Sequence, residues 1–134
     1  MGYILGIGSD VVEVARVRRA WERFGERFLV RVYTPEELGY CLKASHGGRV
    51  AERLAGRFAA KEAVMKSLGC GPGRAPWRTV AILPGEGGPP RVELRGAAAR
   101  RAAELGIAKV LVTITHEKEY ALAVAIAEAA VPKS

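Results

Sequence analysis

Apolar residues in the first third of the chain follow two different spacings. Residues 3–8 form a short apolar run that ends at Gly8-Ser9-Asp10, which is typical of a buried strand leading into a helix. Further on, apolar residues recur every three or four positions and share one face of a helix, with a break expected near Gly25. They are Val14, Val17, Trp21, Phe24 and Phe28.

Two further helices are indicated by the residues at their ends. Thr34, Pro35 and Glu37 combine a capping residue, a proline in the first turn and a glutamate three residues after the cap. This helix is predicted to extend to about residue 43. The next helix is predicted over about residues 50–68, and Gly69 is its stop signal.

The second half of the chain is predicted to contain most of the strands. Residues 79–83 and 91–94 are short strands on either side of a turn rich in glycine and proline. Residues 97–105 form a helix that ends before a glycine. Strands over residues 109–115 and 120–127 then form a hairpin.

The last strand has one face of large residues and one face of alanines. Its large residues alternate with four alanines, as expected when successive side chains point to opposite faces. They are Tyr120, Leu122, Val124 and Ile126. We expect a close neighbour against the alanine face, either a helix or another subunit.

Together these elements predict one α+β domain over residues 1–134, with an antiparallel sheet packed with helices. Of the residues, 49% are hydrophobic and 26% are charged, which is typical of a soluble globular protein. The longest apolar stretch, residues 120–127, is far shorter than the ~18 residues of a membrane helix, and the N-terminus lacks a charged leader. Two cysteines are too few for a disulfide framework. We therefore expect a cytoplasmic protein with no membrane span.

The charge of the chain favours an acidic partner. The formal net charge is +7 at pH 7, and nucleic acid, anionic lipid, a polyphosphate ligand and an acidic protein are all compatible with it. Four basic residues lie opposite the apolar face of the first predicted helix, again three or four positions apart. They are Arg16, Arg19, Arg23 and Arg27.

The helix over residues 50–68 carries the main candidate chemistry. Its apolar arc consists of Leu54, Phe58, Met65 and Leu68. Lys61 points into that arc, and Glu62 and Lys66 lie beside it, one turn apart. One interpretation is a solvated Glu–Lys pair worth about 0.2–0.5 kcal/mol, with Lys61 extending its ammonium to water. The other is a site that holds a metal ion and phosphates.

Other candidate positions have simple structural interpretations. Asp10 is expected to cap the helix that follows it, with Glu13 completing a capping box. The Gly6-x-Gly8 sequence lacks the third glycine of a dinucleotide-binding turn. His116 lies at the mouth of the hairpin, where a lone histidine is commonly solvated. The cysteines and histidines show no zinc-ligand spacing.

Three motifs occur in a fixed order along the chain. They are Gly6-x-Gly8-x-Asp10, Phe58-x-x-Lys61-Glu62-Ala63-x-x-Lys66 and Thr115-His116-x-x-x-Tyr120-Ala121. Together they resemble the 4′-phosphopantetheinyl transferases, specifically the compact holo-[acyl-carrier-protein] synthases, over about residues 4–128. The resemblance implies a single domain of that fold. It also implies transfer of phosphopantetheine from coenzyme A to a serine of an apo acyl carrier protein in lipid and fatty acid synthesis, with release of adenosine 3′,5′-bisphosphate.

The resemblance implies a magnesium site and two catalytic side chains. Asp10 and Glu62 match the family's metal ligands, and Mg²⁺ commonly takes one or two carboxylates together with substrate phosphates. Lys66 matches a phosphate-facing lysine that stabilises charge on the leaving side. Glu62 is also the suggested acceptor of the serine proton, directly or through a metal-bound water.

The resemblance also implies contacts to coenzyme A. Lys66 is one of them, and Lys61 or Arg57 is expected near the phosphates. Thr115 and His116 match a hairpin that reaches the adenosine-phosphate end of coenzyme A in the family.

Three backbone positions match the coenzyme A site as well. Gly69 and Gly71 allow a close approach of the main chain to the ligand. Pro90 matches the proline of a Gly-Lys-Pro turn in the family. Pro89 stands at the lysine position here, so any contact from that lysine is lost or is supplied elsewhere.

The arginine stripe of the first helix resembles the family's docking face for acyl carrier proteins, which are acidic. Arg16, Arg19, Arg23 and Arg27 are the residues concerned, although an exposed helix kept soluble by arginines explains any one of them equally well. The compact members of the family assemble as trimers with sites shared between neighbours. A homotrimer is therefore implied.

Two other classes of function remain open from the sequence. A small basic nucleic-acid-binding domain would explain the charge. It requires aromatic residues exposed among the arginines, whereas Trp21, Phe24 and Phe28 are predicted on the apolar face. A catalytically silent oligomeric scaffold would leave Asp10 and Glu62 without affinity for a divalent ion. The resemblance favours the magnesium-dependent transferase, with no nucleic acid as partner.

Overall fold

The structure, a computed structural model, describes residues 3–70 and 75–130, which form five α-helices, one short 3-10 helix and five strands. In chain order these are β1 Ile4–Glu13, α1 Val14–Phe24, α2 Glu26–Val32, α3 Pro35–Cys41, α4 Gly47–Ser67, the 3-10 helix Trp77–Thr79, β2 Val80–Leu83, β3 Arg91–Leu94, α5 Gly96–Leu105, β4 Ile107–His116 and β5 Tyr120–Ala129. The order β1-β5-β4 forms one antiparallel sheet, and β2 pairs with β3 in a second one. The predicted α+β class, with an antiparallel sheet packed with helices, is confirmed.

Helix α4 lies at the centre of the fold, against one face of the sheet β1-β5-β4. The alanines of β5 are fully buried on this face, and they are Ala121, Ala123, Ala125 and Ala127. The close neighbour expected against the alanine face is therefore a helix of the same chain. Small side chains allow a helix backbone and a strand to approach closely, which increases their van der Waals contact.

The opposite face of the same sheet is open and apolar. Ile7 and Val11 of β1 are 69% and 60% exposed, and Leu122 of β5 lies directly opposite Val11 in the register. Leu111 of β4 and Tyr120 of β5 are also exposed. No helix within residues 3–70 and 75–130 is both long and apolar enough to cross a membrane.

Strand β1 is longer than its sequence pattern predicts. It continues through Asp10 to Glu13, because its pairing with β5 runs on to the pair Glu13 and Tyr120. The interpretation of Asp10 as a helix cap is therefore wrong. The residue before α1 is Glu13, which makes no capping hydrogen bond through its side chain.

The predicted break near Gly25 separates α1 from α2, and it changes the exposure of one aromatic residue. Val14 and Val17 are buried as expected, but Phe24 is 49% exposed. Gly25 has φ 59° and ψ −137°, a left-handed conformation that turns the chain immediately after Phe24. The helical face predicted across both segments therefore does not continue through this turn.

Local end signals predicted the other helices well. Thr34 accepts a hydrogen bond from the amide of Glu37 at 3.2 Å, and Glu37 Oε1 accepts from the amide of Thr34 at 2.8 Å, which completes the capping box. Helix α4 begins slightly earlier than predicted, because His46 Nδ1 accepts from the amide of Arg49 at 3.2 Å. Gly69, at φ 70°, follows its end as predicted.

Candidate active site

The two glycines of the first motif bring β1 onto the backbone of α4. A Cβ atom at Gly6 would lie 1.9 Å from the carbonyl oxygen of Ser67, and one at Gly8 would lie 2.0 Å from that of Ala63. Residues 6, 8 and 10 point to the same face of the strand, because side chains alternate. The glycines therefore allow Asp10, the next residue on that face, to lie beside α4.

Asp10 contacts the second motif directly. Lys66 Nζ donates to the carbonyl of Ser9 at 2.9 Å and lies 3.3 Å from Asp10 Oδ1. The side chain of Lys66 is 46% exposed, so this ion pair contributes little to stability. Lys66 therefore has a solvent-facing ammonium at the position where the family resemblance places a phosphate contact.

Glu62 and Asp10 line one cavity of about 380 Å³. Phe58 and Trp77 form apolar parts of its wall, and Arg16 of α1 also lines it. Glu62 Oε1 accepts a hydrogen bond of 2.8 Å from the indole Nε1 of Trp77. Two carboxylates that are distant in sequence thus converge on one space.

The donor set of this cavity fits Mg²⁺ better than zinc. Among the described residues, no three His, Cys, Asp or Glu side chains are grouped closely enough to hold a metal. Zinc sites usually have three or four such ligands, whereas Mg²⁺ keeps waters and binds through one or two carboxylates plus substrate phosphates. Asp10 and Glu62 supply those two carboxylates.

Lys61 does not face this cavity, which corrects the prediction that it lies near the phosphates. Its side chain is fully buried, and Nζ lies 2.8 Å from Glu37 Oε1. The same ammonium donates to the carbonyls of Trp77 and Val80, so all three of its protons are used. Burial lowers the pKa of Lys61, and the Glu37 carboxylate opposes that shift.

Arg57 differs from Lys61 because its guanidinium is not fully satisfied. The residue is only 5% exposed, and its Nε has no hydrogen-bond partner among the described residues. The guanidinium lies over the ring of Tyr40, 4.3 Å from its centroid. Burial raises the pKa of the neighbouring Cys41 thiol to about 12, so this thiol is neutral and cannot compensate the charge of Arg57.

The hairpin residues Thr115 and His116 lie on opposite faces of the sheet. His116 faces α4, where its Nδ1 is 3.2 Å from Glu52 Oε1 and its ring lies close to Gly56. It is half-buried and paired, and is not the solvated turn histidine expected from its position in the sequence. Thr115 is exposed on the open apolar face.

Two of the remaining predicted coenzyme A positions, Gly69 and Pro90, lie in turns. Gly69 follows α4, and Arg101 of α5 donates to the carbonyl of Leu68 beside it at 3.1 Å. Pro90 is half-buried at the end of the turn that precedes β3. Gly71 lies outside the described residues.

All four arginines of the predicted docking stripe are exposed, and they are Arg16, Arg19, Arg23 and Arg27. The Arg23 guanidinium lies 5.2 Å from the ring centroid of Phe24. Arg27 borders a second groove together with Phe28 and Trp77. Phe24 and Phe28 thus lie beside arginines of the stripe, which corrects the expectation that they lie only on the opposite, apolar face.

Trp77 is the functional candidate that the sequence patterns missed. It follows a Gly/Pro-rich stretch and belongs to no helical or strand periodicity. The signal that could have found it is its indole N–H, which usually finds a hydrogen-bond partner when the residue is buried. In the structure Trp77 is hydrogen-bonded to Glu62 of α4. It also lines the second groove, which Arg27 borders.

Comparison with known proteins shows the family. The family model "4′-phosphopantetheinyl transferase superfamily" matches residues 6–125. Holo-[acyl-carrier-protein] synthase of Desulforudis audaxviator is 51% identical over 125 residues, which cover 92% of each chain. The enzyme of the same name from Moorella thermoacetica is 46% identical over 125 residues, 93% of this chain and 94% of the relative.

A solved structure agrees with these sequence matches. The holo-(acyl-carrier-protein) synthase of Bacillus anthracis, in complex with CoA (3′,5′-ADP), superposes with a TM-score of 0.76 at 30% identity. The match covers 95% of this chain and 98% of that one. The chain belongs to the 4′-phosphopantetheinyl transferase superfamily and is a transferase of the holo-[acyl-carrier-protein] synthase type.

Proposed function

We propose that this chain transfers 4′-phosphopantetheine from coenzyme A to a serine of an apo acyl carrier protein, with Mg²⁺ as cofactor, in fatty acid synthesis. The observation that carries this proposal is the convergence of Asp10 and Glu62 on one cavity, with Lys66 beside Asp10. The solved relative that holds CoA (3′,5′-ADP) supports coenzyme A as donor and adenosine 3′,5′-bisphosphate as product.

In the proposed reaction, the serine oxygen attacks the phosphorus nearest to pantetheine, and the bond from that phosphorus to the bridging oxygen of the pyrophosphate breaks. Asp10 and Glu62 would hold Mg²⁺, which when bound neutralises pyrophosphate charge. Lys66 stabilises the negative charge that develops on the departing adenosine 3′,5′-bisphosphate. Glu62 accepts the proton of the serine, directly or through a water.

Several further residues are proposed to contact coenzyme A. Arg57 is supported by its buried Nε, which has no partner among the described residues and is suited to an anion. His116 carries a ring nitrogen beside Glu52 at the edge of α4. The other proposed coenzyme A positions remain as the resemblance implies them, and they are Gly69, Gly71, Pro90 and Thr115.

The transfer is tested by measuring the mass of the acyl carrier protein. The protein is mixed with apo acyl carrier protein, coenzyme A and Mg²⁺, and the carrier is analysed by mass spectrometry. We expect a mass gain of one phosphopantetheine on a serine, with none when coenzyme A or Mg²⁺ is left out. A carrier that keeps its apo mass in the complete mixture overturns the proposal.

The arginine stripe is proposed to dock the acidic carrier protein, since exposed cations steer a negatively charged partner. Charge reversal at Arg19 and Arg23 together should raise the apparent KM for the carrier about tenfold. It should leave coenzyme A binding unchanged, because neither residue lines the cavity that holds Asp10 and Glu62. Steady-state kinetics with each substrate varied in turn check this. The control reverses exposed charges elsewhere, Arg100→Glu with Lys109→Glu, and should leave the KM for the carrier unaltered. If the two double variants have the same KM for the carrier, the arginine stripe does not dock it.

We further propose that the protein is a homotrimer that covers the open face of the sheet. Ile7, Val11 and Leu122 are exposed side by side on this face, and contiguous exposed apolar residues mark sites of protein association. Leu122→Lys is expected to shift the mass measured by light scattering from trimer to monomer, because it buries charge in the interface. Leu105→Lys makes the same change on the exposed side of α5 and should leave the mass unchanged. A monomeric wild-type chain contradicts the proposal.

The cytoplasm is the proposed location. Both cysteines, Cys41 and Cys70, are buried and unpaired, which agrees with a reducing compartment.

A further inference from the structure

Trp77 contacts three residues of helix α4. Its indole Nε1 donates to Glu62 Oε1 at 2.8 Å, and its carbonyl accepts from Lys61 Nζ at 2.9 Å. Its ring lies 5.8 Å from that of Phe58, at a tilt of 42°. Lys61 and Glu62 come three and four positions after Phe58, so the three residues lie close together along α4. The 3-10 helix that carries Trp77 is therefore fixed through both its main chain and its side chain.

The chemistry of the indole suits a carboxylate that must keep its charge. An indole N–H is a neutral donor, so it orients Glu62 without neutralising it, whereas a lysine or arginine in the same place would form an ion pair. Among the described residues, no hydrogen bond reaches the other oxygen, Oε2. One oxygen of Glu62 is thus held, and the other is available to a cation.

We propose that Trp77 is the positioning residue for Glu62, and that buried Lys61 acts in turn by fixing the carbonyl of Trp77. This inference rests on the proposed function, in which Glu62 holds Mg²⁺. It gives Lys61 a role that does not need contact with phosphate. Partners that orient a metal ligand typically change metal affinity by 10–100-fold when they are removed.

Trp77→Phe tests the inference, because it removes the donor and keeps an aromatic ring against Phe58. Mg²⁺ is titrated by calorimetry into protein saturated with coenzyme A, with no carrier protein present. We expect the Kd for Mg²⁺ to rise about tenfold or more, and excess Mg²⁺ to restore most of the transfer activity. Trp21→Phe is the matched control: Trp21 packs against the core from α1, and this variant should bind Mg²⁺ as the wild type does.

A purely structural role for Trp77 predicts a different result. Thermal unfolding would then occur at a lower temperature, while the Kd for Mg²⁺ stayed at the wild-type value. That outcome overturns the inference and leaves the proposed function intact. A wild-type protein that binds coenzyme A but no Mg²⁺ overturns the proposed function itself.

A second measurement covers the case in which Trp77→Phe does not fold. The chain has two tryptophans, so Trp21→Phe leaves Trp77 as its single indole fluorophore. Because its N–H is bound to Glu62, the emission of Trp77 should change when Mg²⁺ is added to the complex with coenzyme A. Adding Glu62→Gln to this protein should abolish that change. An emission that does not respond to Mg²⁺ in a protein that binds Mg²⁺ by calorimetry overturns the inference.

Discussion

Glu62→Gln is expected to lower kcat for carrier modification by about 10²–10⁴-fold, the usual range for loss of a positioned acid or base. Glutamine has nearly the same shape, and its amide oxygen can still accept the 2.8 Å hydrogen bond from Trp77. What is lost is the negative charge that faces the cavity shared with Asp10. The same change should weaken Mg²⁺ binding, because it removes one of the two carboxylates proposed as ligands. Single-turnover kinetics at saturating coenzyme A, followed by mass spectrometry of the carrier, measure the effect.

The control for this variant is Glu104→Gln, which makes the same chemical change on an exposed glutamate of α5. It should keep wild-type kinetics. Thermal unfolding of Glu62→Gln should stay close to the wild type, because Glu62 is only half-buried and its hydrogen bond can re-form. If Glu62→Gln transfers phosphopantetheine at the wild-type rate, the carboxylate is not part of the catalytic machinery.

The parts of the fold that were predictable from the sequence depend on neighbours within a few positions. The capping box of Thr34 and Glu37 uses residues three apart, and the stop at Gly69 needs only a left-handed backbone. The alternation of large residues and alanines in β5 likewise predicts which face of the strand is tightly packed. In each case the physical cause lies inside the segment whose structure is predicted.

The features that could not be predicted depend on partners far along the chain. Asp10 belongs to a strand and not to a helix cap, because β5 extends the pairing of β1 to Glu13. Lys61 is buried because Glu37, on another helix, provides its counter-ion, and local spacing gives no information about that contact. A helical wheel correctly placed Lys61 among apolar residues. It could not distinguish an ammonium that reaches water from one held inside the core.

The candidate site also combines features that the sequence predicts with features that depend on residues far apart in the chain. The motifs identified Asp10, Glu62 and Lys66, and the structure brings these three residues together. Trp77 was missed because its hydrogen bond to Glu62 joins two segments that only the fold brings together. The family resemblance thus supplied the residues of the motifs, and the fold supplied the contacts that hold them in place.

Gly8→Ala is expected to lower transfer activity by about 10²-fold and the free energy of unfolding by about 1–3 kcal/mol. A Cβ atom at Gly8 would lie 2.0 Å from the carbonyl oxygen of Ala63 and 2.8 Å from the amide nitrogen of Ser67. Both are main-chain atoms of α4, so no side-chain rotation can relieve the overlap. The strand must move away from the helix, and Asp10, two residues further on, moves with it. A displacement of about 1 Å between reacting groups is enough for a loss of this size.

The matched control for this prediction is Gly39→Ala in α3. A Cβ atom at Gly39 meets no other atom within 4 Å, and the residue has no positive φ. Alanine is the better helix former there, so unfolding should cost up to about 1 kcal/mol more and activity should be unchanged. Kinetics should be measured well below the unfolding temperature of each variant, so that reduced activity reports displacement and not unfolded protein. A fully active Gly8→Ala enzyme would mean that the strand can shift on α4 without moving Asp10, and the glycines of the first motif would then serve packing alone.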